Sequence, residues 1–169
     1  MTTRGIPGTE SNRIETARAF AGYVQYKAVV DRLTLIPGLR YESITLDLVD
    51  YGKSDIERSG TAVSTRRNWV GVWIPGVGMD YKFNKVLSSF VGVHKGFSPP
   101  GSKEGALPEE SVNYELGARL HKKSLTGQAV IFLNDYSNLL GSDLAAAGGG
   151  GTNDQYNGGA VQAMGVETQ

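Results

Sequence analysis

The sequence predicts an all-β chain, an antiparallel up-and-down meander of about seven long strands. Two patterns carry that reading. Apolar and polar residues alternate with period two almost from end to end, and helical periodicity is nearly absent. Between the alternating runs, short polar turns and long polar segments take turns without exception. Composition agrees, because 23 glycines against 6 prolines in 169 residues supply the bends that β proteins need.

The first run covers 13–29, "RIETARAFAGYVQYKAV". The second, 32–49, sets Leu33, Leu35, Pro37, Leu39 and Tyr41 on one face and Thr34, Arg40 and Glu42 on the other. The third, 66–81, aligns Trp69, Trp73, Val77, Met79 and Tyr81, although its other face is also fairly apolar and its sidedness is weaker. The fourth, 85–97, opposes Leu87, Val91, Val93 and Phe97 to Ser88, His94 and Gly96. It runs into Pro99 and Pro100, which have no N–H for a ladder, so pairing must stop there. The fifth, 109–121, is the cleanest: Val112, Tyr114, Leu116, Ala118 and Leu120 against Asn113, Glu115, Arg119 and His121. The sixth is 125–139, and the seventh begins near Tyr156.

Strands one and two meet at "VVDR", three and four at "YKFNK", five and six at "HKKSL", each a tight polar turn. The other connections are long: 47–65, 98–110 and 140–155. In a meander every short turn then lies at one end of the sheet and every long loop at the other. Loops of about 12–15 structureless residues are uncommon in a compact domain. A segment of a transmembrane β-barrel accounts for them, with short periplasmic turns, long extracellular loops, and strands apolar toward lipid and polar toward the lumen. Several runs exceed the roughly 9–11 residues that cross a bilayer, so the strands would project beyond it. Tyr41, Trp69, Trp73, Tyr81 and Tyr114 suit interfacial girdles. Core aromatics of a soluble sheet are the competing reading.

Several function classes are disfavoured. Lys plus Arg is 17 and Asp plus Glu is 17, so no net charge recruits nucleic acid. The absence of cysteine removes disulfides and thiolate chemistry. No stretch approaches the roughly 18 apolar residues of a membrane helix, and "MTTRGIPGTESNR" lacks the apolar centre of a signal peptide. His94 and His121 have no acidic cluster at ligand spacing and fit solvated strand positions better than a shared metal site. The segment "AAAGGGGTNDQ" (145–155) lacks the lysine of a phosphate-binding loop and reads as a flexible outer loop. No G-x-S-x-G elbow or Ser/His/Asp set is present. We expect no enzyme, no cofactor and no metal site.

Five segments in order, "RLTLIPGLRYE" (32–42), "KVLSSFVGVHKGFSPP" (85–100), "PEESVNYELGARL" (108–120), "VIFLNDYSNLL" (130–140) and "YNGGAVQAMGVE" (156–167), resemble successive barrel strands of TonB-dependent outer-membrane receptors. The ferric-dicitrate type is the nearest likeness. It covers most of the chain from about residue 14. The resemblance implies an outer-membrane location, lipid contact on one face, and transport of ferric chelates or similar nutrients driven by TonB. It also implies a barrel of about 22 strands around a plug. Nothing here resembles the plug, the TonB-binding segment or a closing strand ending in an aromatic residue. We therefore expect residues 1–169 to be a partial barrel domain, an internal fragment or truncated product, reached by TonB only through regions outside it.

The loops "VDYGKSDIERSG" and "FSPPGSKEGALPEE" are the best places for ligand contact. For an anionic chelate the candidates are Lys53, Arg58 and Lys103, with Arg40 on the lumen wall. The plain alternative is that these charges keep the loops soluble. Lys122–Lys123 and Arg66–Arg67 are basic pairs at strand ends, solvated by default. A passive porin-like barrel, or a soluble antiparallel barrel that binds a ligand, are the rival functions.

Overall fold

The computed structural model describes residues 11–61, 63–142 and 155–169. Its regular elements are all strands: β1 (Arg13–Gln25), β2 (Ala28–Val30), β3 (Leu33–Asp50), β4 (Ser64–Lys82), β5 (Leu87–Ser98), β6 (Glu109–Lys122), β7 (Leu125–Ser137), β8 (Leu140–Ser142), β9 (Gln155–Asn157) and β10 (Val161–Thr168). Eight of them form one antiparallel meander in the order β1, β3, β4, β5, β6, β7, β10, with β2 also pairing β3. The all-β meander expected from alternation is thus the observed fold. β5 ends at Ser98, directly before the two prolines.

Two expected runs differ in detail. The first breaks at Tyr26 and Lys27, yet its register continues, since Gln25 faces Gly38 and Ala28 faces Leu35. The cause is Pro37. Tyr26 donates its N–H to the Pro37 carbonyl at 3.0 Å, and Pro37 has no N–H to return. The last strand of the sheet begins at Val161, not near Tyr156, because Tyr156 lies in β9, which pairs with β8 in a separate two-stranded sheet. β7 stops at Ser137 because Asn138 takes a left-handed conformation, φ 52°. β3 and β4 also reach further than expected and leave a connection of 51–63, and the next long loop is 99–108. The glycine run 148–151 lies outside the described residues.

Proline parity explains a second feature. β3 and β4 pair along their whole length, from Leu33 and Tyr81 to Asp50 and Ser64. β4 and β5 pair only from Gly76 and His94 to Lys82 and Ser88. Even-numbered residues of β4 direct their N–H toward β3, as Lys82 does to Arg32 at 2.9 Å, and odd ones toward β5. Pro75 therefore lacks the donor that would meet Lys95, and the ladder ends one residue away. Pro37 interrupts β2 by the same rule and leaves the β3–β4 seam intact.

The two faces of the sheet differ, and the difference reverses along β3 and β4. One face, here called inner, carries the buried residues Ile44, Leu48, Val70 and Val72 near the long-loop end. Toward the short turns it carries Arg40, Asp80, Ser88, His94, Glu115 and Arg119. The outer face shows the opposite order. Near the turns it exposes Leu35, Leu39, Val77, Met79 and Leu116, whereas toward the long loops it carries Ser43, Thr45 and Asp47, the last paired with Arg67 at 2.6 Å.

The reversal falls at Tyr41 and Trp73, opposite one another with ring centroids 4.7 Å apart. Trp69 lies beside them and donates its indole N–H to the Ser43 hydroxyl at 3.0 Å. This cluster needs Gly71, because a Cβ there would come within 2.9 Å of both the Trp69 ring and the Tyr41 hydroxyl. At the turn end Tyr81 and Phe83 form a second pair at 5.1 Å, edge to face. Between the two pairs the outer face of β4 is apolar for about eight residues, roughly 26 Å of strand.

Candidate functional site

The inner face bears the polar chemistry. A recess of about 550 Å³ opens on it, lined by Tyr23, Ile36, Arg40, Ile74 and His94 over backbone left bare by glycines such as Gly76 and Gly92. Arg40 forms an ion pair with Glu42, Nε to Oε1 at 2.6 Å, and its side chain stays 48% exposed. A half-exposed pair of this kind contributes little to stability, so the guanidinium is held in position without being locked away.

Further along the inner face, Arg119 organises a second group. Its Nε donates to Gln128 Oε1 at 2.8 Å, its Nη1 lies 3.4 Å from Asp80 Oδ2, and its guanidinium sits 3.9 Å above the Phe90 ring. Phe90 can lie flat because the residue opposite is Gly117, where a Cβ would overlap the ring. Nothing in the sequence flagged Arg119 beyond its polar-face position, because the match of Phe90 to Gly117 exists only once the register is known.

The long loops are built into the same end of the molecule. In 51–61, Asn12 donates from Nδ2 to the carbonyls of Gly52 at 2.8 Å and Asp55 at 2.7 Å. Asp55 is buried, 6% exposed, and accepts from the Ser59 N–H at 2.8 Å, the Ser59 hydroxyl at 2.9 Å and the Gly60 N–H at 2.8 Å. Burial works against its charge, but these bonds and one from Thr61 outweigh it and hold the carboxyl below its ordinary pKa. In 99–108, Pro100 is buried, and Asn68, on the inner face of β4, donates to the carbonyls of Gly101 at 3.2 Å and Ala106 at 3.1 Å. That loop therefore folds over the inner face beside Val70 and Val72.

The four sequence-derived contact candidates do not form one cluster. Arg40 lies ten residues below the end of β3, roughly 33 Å of strand from the loop that holds Lys53 and Arg58. Arg58 is committed to structure: Nε donates to Asn12 Oδ1 at 3.0 Å, and its guanidinium lies 5.7 Å from the Tyr51 ring centre. Lys53 and Lys103 are exposed in their loops. Among the described residues no three His, Cys, Asp or Glu side chains come together as a metal site.

The family described as TonB dependent receptor-like, beta-barrel matches residues 2–169. Among solved structures, the chain superposes on the unliganded ferric citrate transporter FecA with a TM-score of 0.72 at 19% identity, covering 92% of this chain and 22% of that one. The FrpB iron transporter from Neisseria meningitidis gives 0.71 at 14%, covering 91% and 23%. The ferric yersiniabactin uptake receptor FyuA from Yersinia pestis gives 0.68 at 20%, covering 92% and 24%. The chain thus spans less than a quarter of the length of these structures. At such identities the structures establish the fold, and the family match covers nearly the whole sequence: the chain belongs to the TonB-dependent receptor β-barrel family.

Proposed function

We propose that this chain is a stretch of wall from an outer-membrane receptor that takes up ferric chelates or a similar scarce nutrient by TonB-driven transport, not an enzyme. The outer band between the Tyr41–Trp73 and Tyr81–Phe83 pairs meets lipid, and the inner face lines the passage. At a tilt of about 40°, roughly 26 Å of strand spans about 20 Å of bilayer, close to the apolar band of about 25 Å that such barrels present. Residues 1–169 then form part of a barrel domain, and the plug and the contact with TonB belong to other parts of the receptor. Arg40 on the wall and Lys53 and Lys103 in the loops are the cations that an anionic chelate would meet. Arg58 acts there mainly by shaping its loop.

The observation that carries this reading is the exposed apolar band bounded by aromatic pairs, with Trp73 59%, Val77 44% and Leu116 50% exposed. A soluble binding barrel would turn such residues into its core. The test is sedimentation and circular dichroism of the purified chain in buffer and in detergent micelles. Aggregation in buffer with β structure recovered in micelles is the expected outcome, and a compact soluble monomer in plain buffer would sink the reading.

A further inference from the structure

The outer face holds an aromatic platform at the upper edge of the apolar band. Trp69, Gly71 and Trp73 follow one another on that face of β4, so the two indoles stand four residues apart, about 13 Å along the strand. Tyr41 lies opposite Trp73, and its hydroxyl reaches over Gly71 between the two indoles. Because residue 71 has no Cβ, the benzene end of Trp69 also comes down onto the backbone there. The Trp69 indole N–H is fixed to the Ser43 hydroxyl at 3.0 Å. The ring is thus held in one place, yet Trp69 remains 60% exposed. A ring fixed in advance lowers the ordering cost of whatever stacks on it.

Anchoring in the bilayer accounts for only part of this arrangement. A girdle tryptophan offers its N–H to the headgroup level while its ring lies toward hydrocarbon. Trp73 fits that description, since no hydrogen bond engages its indole N–H among the described residues. Trp69 does not: its N–H is spent inside the sheet, and its outer-face neighbours are Thr45, opposite it, and the Asp47–Arg67 pair. The Tyr41 hydroxyl also has no hydrogen-bond partner among the described residues. The platform therefore combines exposed ring surface with unspent hydroxyl and N–H groups. It carries little net charge, because Asp47 engages Arg67, and Arg18, opposite Thr45, lies one strand further away.

We infer that the Trp69–Tyr41–Trp73 platform binds the neutral sugar headgroup of a membrane glycolipid, a short run of pyranose rings laid along β4. A pyranose turns weakly positive C–H bonds to one side, which suits the negative face of an indole, and carries hydroxyls around its rim, which suit the Tyr41 hydroxyl and the Trp73 N–H. The separation of the two indoles calls for more than one ring. A phosphate headgroup has no C–H face to stack and finds Arg67 already engaged. The source is a lipid because the platform borders the band that meets hydrocarbon, and to that extent the inference rests on the membrane-wall reading.

Trp69 and Trp73 are the only tryptophans of the chain, so indole fluorescence reads the platform alone. The test follows acrylamide quenching of the chain folded in phosphatidylcholine vesicles as digalactosyl diacylglycerol, a lipid with a neutral two-pyranose headgroup, replaces part of the phospholipid. A saturable fall in quenching is expected. The glycolipid fraction at half-saturation should rise at least about fivefold in Trp69→Phe, read through Trp73. It should rise about threefold in Tyr41→Phe, which keeps every ring and serves where Trp69→Phe does not fold. A change that never saturates, or one absent from Trp69 when it alone reports in Trp73→Phe, is ordinary interfacial anchoring and overturns the inference. Equal protection by free lactose in vesicles without glycolipid would overturn the assignment to a membrane lipid. A chain with full β circular dichroism in the vesicles and unchanged quenching also overturns the inference and leaves the transport reading standing. A chain that forms no sheet there removes both, because the platform exists only where β3 and β4 are paired.

Discussion

The two halves of β3 and β4 obey opposite solvent rules. Below the Tyr41–Trp73 pair, apolar side chains face outward and charged ones inward; above it, Ser43, Thr45 and the Asp47–Arg67 pair face outward while Ile44, Leu48, Val70 and Val72 are buried inward. The backbone ladder is continuous through the change. On the proposed reading only the medium around the outer face differs: hydrocarbon rewards apolar surface there, and water rewards burying it on the other side. The upper half therefore behaves as a soluble sheet with a core, and the lower half as a membrane wall.

The largest effect should come from the core of the upper half. Leu48, 3% exposed, is the most enclosed of the buried apolar residues. Leu48→Ala should lower stability by about 2–5 kcal/mol through lost transfer energy and an unfilled cavity. Chemical denaturation of the chain in micelles reads this directly. A loss below about 0.5 kcal/mol would mean the upper half has no working core and would break the contrast.

Moving one charge along a single face of β4 sharpens it further. Val77 and Thr65 both lie on the outer face, one in the apolar band and the other beyond it. Val77→Arg should cost about 2–4 kcal/mol in phospholipid vesicles, the usual cost of Arg near the midplane, whereas Thr65→Arg should cost about 0–1 kcal/mol. Equal costs at the two positions would remove the assignment of hydrocarbon to one and water to the other. The same pair in mild detergent should show a smaller gap, since micelles adapt around a charge.

Much of this was open to sequence reasoning, because period-two alternation sorts side chains onto faces whatever the partners are. Leu39 and Tyr41 opposite Arg40 and Glu42, and the sides taken by β5 and β6, follow from it alone. The reversal along β4 did not, and its trace was the ambiguity of 66–81, where Trp69 and Trp73 on one face oppose Val70 and Val72 on the other. Alternation reports two faces, not which medium each one meets. The short β4–β5 ladder was hidden for a similar reason, since whether Pro75 harms a seam depends on which neighbour its missing N–H would have faced. Arg58 reads from sequence as a loop cation, and its bond to Asn12 spans 46 residues that no local pattern connects.

Acid should separate the two halves by a smaller amount. Asp55 anchors 51–61 through the amides of Ser59 and Gly60, and its pKa in the folded chain is depressed. A depressed carboxylate adds stability in full above its unfolded pKa, about 3.9, and that contribution disappears as pH falls from there through the folded value. Hydrogen-exchange protection of the Ser59 and Gly60 amides, corrected for intrinsic rates, should therefore be flat at neutral pH and fall only in that acid window. Asp55→Asn should abolish the acid step, because the amide cannot titrate, while amides in the apolar band of β4 keep their protection throughout. A step that survives in Asp55→Asn would assign the acid sensitivity to another carboxylate. A step that appears equally in the band amides would mean the loop and the wall open together, and the division of the strands into a soluble half and a membrane half would then describe surface polarity without describing separate stability.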